Sequence, residues 1–305
     1  GKVAIPNGVH GFPDPDLVPA LPDAVQLSPL VPGAQRLEDL ADGSFAAITV
    51  VAPAGVLERR FTLAHALRAL RLGGRLTALA LKDRGGQRLP KELAEFGCTV
   101  DQVSRRHHRI CTAVRPDRLS GLDEAIVAGG VQIPSALGLW SQPGIFSWDR
   151  PDSGSRMLIR HLAPLKGIGA DLGCGVGLLS LAALESPALQ RISLVDIDRR
   201  AIDAARRNVV DQRAEFTWCD VRQGMHDIQD LDFVVMNPPF HDGGAEDRTL
   251  GEAFIRHATA LLKPGGACWL VANRHLPYEA HLKASFSKLR QVEQGGGFKI
   301  YEARR

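Results

Sequence analysis

From residue 167 to the C-terminus the chain alternates short apolar runs with stretches of helical spacing, an order that few architectures accept. "GIGADLG" reads as a strand, "VGLLSLAALES" as a helix, "RISLVDID" as a buried strand closed by acids and "RRAIDAARRNVV" as a helix. "AEFTWCD" and "LDFVVM" are further strands, and "GEAFIRHATALLK" is a helix stopped by Pro264 and Gly265 ahead of the strand "GACWLVAN". This alternation predicts an α/β fold, a mostly parallel sheet with helices on both faces. The ending breaks the rule: "LRQVEQ" and "FKIYEAR" flank "GGG" at 295–297, which predicts a hairpin and an antiparallel last strand.

Residues 45–115 repeat the second half of that pattern. "ITVVAP" (48–53) lies over "FVVMNP" (233–238), "HALRALRLGGRLTALA" (65–80) over "HATALLKPGGACWLVA" (257–272), and "RICTAVR" (109–115) over "KIYEARR" (299–305). In this alignment Ala52 stands where Asn237 stands, and nothing before residue 45 supplies a glycine-rich loop. The expectation is a degenerate α/β domain over 1–129 without its own active site, and a catalytic domain over 130–305. The Gly-, Pro- and Ser-rich stretch from 130 leads into the latter, with the linker at about 130–143.

Composition excludes a disordered chain: 45% of residues are hydrophobic and 23% charged. A net charge of +3 permits a nucleic-acid partner without predicting one. The densest basic cluster, "RRHHR" at 105–109, suits either a solvated strand edge or an RNA contact. The five cysteines have no metal-ligand spacing and suit no disulfide framework, so no metal is expected and the compartment is reducing. Without a run near the ~18 apolar residues of a spanning helix, the expectation is a soluble cytoplasmic protein with no membrane partner. The sequence begins at Gly1 rather than Met, so a leader stays open.

Chemistry gathers at the predicted strand ends. "ADLGCGVG" (170–177) sets Gly173, Gly175 and Gly177 between a strand and a helix, where a ligand can approach the backbone. Leu178 occupies the place of the third glycine of a dinucleotide fingerprint, which disfavours a dehydrogenase. Asp171 suits a cationic amino group. Asp196 ends the next strand, where a carboxylate can accept from ribose hydroxyls, while Asp198 reads as a helix N-cap. Asp220 ends the third strand, either as an acceptor for an adenine amine or as a surface turn. Asn237 ends the fourth, just before Pro238 and Pro239, which remove N–H donors and stiffen the backbone. An exocyclic amine is a poor nucleophile, and a carboxamide oxygen with a nearby carbonyl can accept its hydrogens and aim its lone pair. Phe240 can stack on a base, and His241 either bonds a base edge or a phosphate or is merely solvated beside an exposed turn.

Together "DLGCGVG", "LVDID", "NPPFH" and the closing "GGFKIYEAR" resemble the class I S-adenosylmethionine-dependent methyltransferases. More narrowly they resemble the small-subunit ribosomal RNA guanine-N2 methyltransferases of the RsmC type. The similarity runs from about Gly144 to the C-terminus and includes "PGIFSWDRPDSGS" and "VANRHLPY" (271–278). The resemblance implies a Rossmann-like, seven-stranded catalytic domain after a related inactive one, with S-adenosylmethionine as cofactor and ribosomal RNA or the small subunit as partner. It implies that Asp171, Gly173, Gly175 and Gly177 hold the methionine part, Asp196 the ribose, Ile197 the adenine face and Asp220 its amine. Asn237, Pro238 and Phe240 would hold the guanine, and Lys299 matches the lysine of the closing "FK" motif, as a substrate contact or as a side chain snorkelling over the last strand. Pro239, His241 and Phe146 are further candidate substrate contacts.

Direct methyl transfer to guanine N2, with neither a metal nor a covalent enzyme intermediate, is the expected reaction. Alternatives are another acceptor (large-subunit ribosomal RNA, a transfer RNA adenine or a protein glutamine) and a non-catalytic cofactor-binding assembly protein. Intact "NPPF" beside intact "DLGCGVG" counts against the last.

Overall fold

The computed structural model describes residues 4–225, 227–238, 245–275 and 278–305, with backbone alone for 245–247. The chain divides into two compact units, one of Gly1–Val131 with Gln142–Gly144, the other of Gln132–Ser141 with Ile145–Arg305.

The first unit contains β1 (Asn7–His10), β2 (Val25–Gln26), β3 (Phe45–Val51), α1 (Val56–Ala69), β4 (Leu70–Leu81), α2 (Leu89–Glu95), β5 (Val100–Arg105), β6 (His108–Val114) and α3 (Leu122–Ala128). Its sheet runs β2-β1-β3-β4-β6-β5, with β1 to β4 parallel and β6 antiparallel to both neighbours. Ile48 and Val50 of β3 and Leu76 and Ala78 of β4 alternate onto the face that packs on Leu63 and Leu67 of α1 and Leu93 of α2.

The second unit contains α4 (Ser153–His161), β7 (Gly167–Leu172), α5 (Leu178–Ala183), β8 (Leu189–Asp196), α6 (Arg199–Asn208), β9 (Ala214–Trp218) and β10 (Leu231–Met236). It continues through α7 (Ala245–Leu261), β11 (Leu262–Asn273), α8 (Glu279–Ser285), β12 (Lys288–Gly295) and β13 (Phe298–Arg304). The seven-stranded sheet runs β12-β13-β11-β10-β7-β8-β9 and is parallel except at β13, as the alternation and the glycine hairpin predict. Both faces are buried. Val234 and Met236 pack with Phe254 and Ile255 of α7, while Phe233 and Val235 pack with Leu158 of α4, Leu179 of α5 and Ile202 of α6.

The two sheets share strand order, directions and one irregularity, and the sharing extends upstream of residue 45. β1 and β2 occupy the places of β7 and β8, although the first 44 residues supply neither a counterpart of β9 among the described residues nor α-helices between the strands. The pairs β3–β4 and β10–β11 carry a matching register shift: Phe45 opposite Leu70 then Ala47 opposite Arg75, and Leu231 opposite Leu262 then Phe233 opposite Ala267. This register corrects the sequence alignment by one residue. Val51, rather than Ala52, takes the place of Asn237, and Ala52 and Pro53 take those of Pro238 and Pro239. Aligning the prolines by letter slipped the strand by one position, which in a period-two element exchanges the two faces.

Candidate active site

β10 ends because Pro238 offers no N–H to the ladder, and Asn237 stands at its tip. Its Nδ2 donates to Asp152 Oδ2 at 2.7 Å and to Ser155 Oγ at 2.9 Å. Asp152 is the N-cap of α4, and the same Oδ2 accepts from the Ser155 backbone N–H at 2.9 Å. An ionised carboxylate can only accept, so the amide must turn its NH2 end toward Asp152. The Asn237 Oδ1 is thereby left as an acceptor without a donor among the described residues. Sequence reasoning missed Asp152 and Ser155 as site residues. "RPDSGS" carries a readable cap signal, but nothing local says that the cap reaches a strand tip 85 residues away.

The glycine loop joins β7 to α5. Gly173, Gly175 and Gly177 all have positive φ, and a Cβ at Gly177 would lie 2.8 Å from Val209 Cγ2. Gly175 faces open space, which leaves room for a ligand against the backbone. Asp196 at the end of β8 ties this loop down, accepting from Gly175 N–H through Oδ2 and from Asp198 N–H through Oδ1, both at 2.9 Å. Asp198 caps α6, as its sequence position suggests, and also holds the Arg200 side chain.

Asp171 is wholly buried at the end of β7. Ser180 Oγ donates to its Oδ2 at 2.7 Å, whereas Oδ1 is buried without a hydrogen-bond partner. Burial raises its pKa to about 7; the Ser180 hydrogen bond opposes the rise and the Asp196 charge adds to it. Burial also raises Asp196 to about 6, helped by the Asp198 charge and opposed by the two backbone N–H groups. Two carboxyls held partly protonated, one with an orphaned oxygen, form a site that a cationic hydroxylated ligand would complete. Cys174 between them is inert, because burial pushes its thiol well above the ordinary range.

Asp220 caps a short 3-10 turn, and its carboxylate takes Arg222 through both oxygens. Burial pushes its pKa up, but the hydrogen bonds and charge of Arg222 outweigh that and leave it below the ordinary carboxylate range. Ile197 is half-buried, and its carbonyl accepts from Trp218 Nε1 at 2.7 Å.

One cleft of the second unit brings together Gly173, Gly175, Asn237, Asp152, Ser155 and the exposed Phe146. Lys299 is not among the residues lining it. Its Nζ pairs with Glu279 Oε1 at 3.0 Å, and Tyr301 Oη donates to the same carboxylate at 2.6 Å. Pro239, Phe240 and His241 lie outside the described residues. Among the described residues no group of three His, Cys, Asp or Glu side chains could hold a metal, and no helix is long and apolar enough to cross a membrane.

Residues 136–302 match the family described as Methyltransferase small domain. Ribosomal RNA small subunit methyltransferase C of Pseudomonas paraeruginosa is 31% identical over 99% of this chain and 95% of its own length. The protein of that name from Yersinia pestis is 34% identical over 82% of this chain and 72% of its own. Among solved structures, the T. thermophilus 16S rRNA N2 G1207 methyltransferase (RsmC), in complex with AdoMet and guanosine, superposes with a TM-score of 0.75 at 26% identity. That match covers 88% of this chain and 75% of the other. With its strand order, its glycine loop and its asparagine at the fourth strand tip, the chain belongs to the methyltransferase small-domain family and, within it, to the RsmC family of methyltransferases.

Proposed function

We propose that the protein transfers a methyl group from S-adenosylmethionine to the exocyclic N2 amine of a guanine in small-subunit ribosomal RNA. The observation that carries this reading is the Asn237 amide, fixed by Asp152 and Ser155 so that Oδ1 is the free acceptor at the rim of the glycine-loop cleft. The T. thermophilus relative, an N2 methyltransferase in complex with AdoMet and guanosine, supports it.

The cofactor, when bound, supplies an electrophilic methyl group on a sulfonium. The residues fit it: the orphaned Asp171 Oδ1 would take the cationic amino group, and each Asp196 oxygen, accepting one backbone N–H, has a lone pair left for a ribose hydroxyl. Gly173, Gly175 and Gly177 would line the methionine part. Ile197 would pack on the adenine, and Asp220 would share its carboxylate between Arg222 and the adenine amine.

On the acceptor side, Asn237 Oδ1 would accept a hydrogen bond from the N2 amine and hold its lone pair toward the methyl group, and the proton that N2 must lose on methylation would pass to water. Pro238, buried and without an N–H, removes a competing donor. Phe146 offers an exposed ring beside Asn237, and the resemblance assigns Phe240, Pro239 and His241 to the base as well. A ribosomal RNA acceptor places the reaction in the cytoplasm.

Transfer of labelled methyl to small ribosomal subunits and their naked RNA from a strain lacking the protein, followed by nucleoside analysis, tests the reading. N2-methylguanine in small-subunit RNA is the expected product. Label in transfer RNA, large-subunit RNA or protein alone would replace the acceptor, and cofactor binding without transfer would remove the enzyme.

A further inference from the structure

The first unit also has a cavity at the carboxyl end of its sheet, where Val51 takes the place of Asn237. It measures 380 Å³, and its lining includes Phe12, Asp14, Leu17, Val51, Arg84 and His108. Phe12, in the loop after β1, is 77% exposed. Arg105 lies directly opposite His108 across the β5–β6 ladder, so the two side chains share the sheet face on which the cavity opens. Among the described residues neither Arg84, Arg105 nor His107 has an ion-pair partner, whereas Arg106 is drawn to Asp16 at 3.2 Å and Asp14 at 3.9 Å.

A second observation comes from the backbone. The β5–β6 turn is made by Arg106 at φ 46° and His107 at φ 64°, a left-handed conformation that costs a residue with a Cβ. The equivalent turn of the second unit is made by Gly296 and Gly297, at φ 57° and 89°, with no such cost. Lys82 N–H donates to the His107 carbonyl at 2.9 Å and holds the tip in place. The same turn is thus built once from the residues that suit it and once from two basic ones that do not. Strain retained at a basic, exposed tip beside an exposed aromatic ring points to a ligand rather than to packing.

We propose that this crevice, which has lost the residues of a cofactor site, is a docking surface for a single-stranded segment of the RNA substrate. The cavity beside Phe12 takes an unstacked base, and Arg84, Arg105 and His107 take the phosphates on either side. Exposed aromatic stacking next to unpaired cations is how single strands are held without sequence readout. The proposal rests on the RNA reading above, and it assigns the first unit the task of presenting RNA.

The test uses the full chain and a short fluorescein-labelled single-stranded RNA from the small subunit, with affinity followed against salt. Arg84→Ala with Arg105→Ala is expected to weaken binding about tenfold and to lower the salt slope by about 1.4, at about 0.7 per lost phosphate contact. Phe12→Ala should weaken binding about tenfold without changing the slope, since a stacking contact carries no charge. Arg106→Gly with His107→Gly keeps the turn, as the other unit shows, and should raise thermal stability while lowering RNA affinity. All three variants should keep their affinity for S-adenosylmethionine. RNA affinities within twofold of the parent across the set, or a parent that binds no RNA, would overturn the docking surface while leaving methyl transfer to be judged by its own assay. Weakened binding in the variants of a protein that transfers no methyl to RNA would support the surface and discard the enzyme.

Discussion

The two units build one strand order twice and separate at the carboxyl ends of their sheets. In the second, Asp171 stands one residue before the end of β7, which opens into the glycine loop, β8 ends in Asp196, and Asn237 directly follows β10. In the first, sheet register sets Val9 in the place of Asp171 and Val51 in that of Asn237. The loop after β3 is sealed as well. The buried Arg59 guanidinium donates to the carbonyl of Ala54 at 2.8 Å and that of Pro53 at 3.3 Å, and its Nε donates to Glu92 at 2.8 Å. A carbonyl bonded to a buried arginine is not free to receive an amine. One sheet face differs too: Phe233, Val235 and Trp269, buried under helices, are replaced by Ala47, Thr49 and Thr77. The fold therefore survives loss of the chemistry, because strand pairing and the α1 core carry it, while the site depends on a few groups at strand tips.

The sharpest way to break this contrast is at Asn237. Asn237→Ala is expected to lower kcat by about 10²–10³, the size seen when one preorganised hydrogen-bonding group is removed from a reacting centre. Affinity for S-adenosylmethionine, followed by calorimetry, should change little. Val51→Asn added to that variant should restore nothing, since Val51 has no glycine loop beside it and Arg59 holds the following loop. Equal losses of turnover and cofactor affinity would make Asn237 a structural residue.

Asp171 separates the units by pH. Its pKa is raised from 3.8 to about 7, so the folded protein holds a proton that the unfolded chain has released. The stability this proton confers is complete below about pH 4 and is lost as pH rises toward and through 7. The cofactor-free protein should be less stable at pH 7.5 than at pH 5 by about 2–3 kcal/mol, since each tenfold change in proton affinity is worth about 1.4 kcal/mol, and Asp196 should add to the slope. Asp171→Asn keeps an acceptor for Ser180 and should flatten the profile. Cofactor affinity has the opposite trend, rising with pH as the carboxylate forms to meet a cation. Denaturant titrations across this range check both; a flat parent profile would mean that Asp171 is not held protonated.

Asp152 and Ser155 act on Asn237 rather than on substrate. Removing Asp152 frees the amide to rotate, so Asp152→Ala should cost about tenfold in kcat, with Ser155→Ala smaller, and neither should alter the acceptor found in the nucleoside assay. Loss of the α4 cap will also cost about 1 kcal/mol of stability. Ser155→Thr, which retains a hydroxyl, separates the two effects by restoring turnover.

How much of this was legible in the sequence follows from how local each signal is. The strands of the second unit, the antiparallel hairpin at Gly296 and Gly297 and the N-cap at Asp198 depend on period, turn residues and caps within a few positions, and all are found where the pattern places them. The engagement of Asp220 by Arg222 is equally local, yet "DVR" reads as well as a strand end as a turn. The grip of Asp152 on Asn237, the orphaned oxygen of Asp171 and the one-residue alignment between the units are set by register and packing, which no short window contains. β1 and β2 escaped notice because four- and two-residue strands among prolines carry too few periods to read.

The smallest effect concerns the paired turns, and it bears on why the first unit retains a basic tip. Replacing Arg106 and His107 by glycine removes two left-handed residues that cost roughly 1–2 kcal/mol each, but it gives the unfolded chain more freedom, a loss of about 0.5–1 kcal/mol per glycine. The net should be a gain of about 1 kcal/mol, read as a higher denaturant midpoint with an unchanged slope. The reverse exchange, Gly296→Arg with Gly297→His, should destabilise the second unit by a similar amount. If both exchanges are neutral, the turn costs nothing and retention of arginine and histidine needs no ligand. If the glycine variant is more stable but binds RNA less well, a tip that lowers stability is kept for what it contacts.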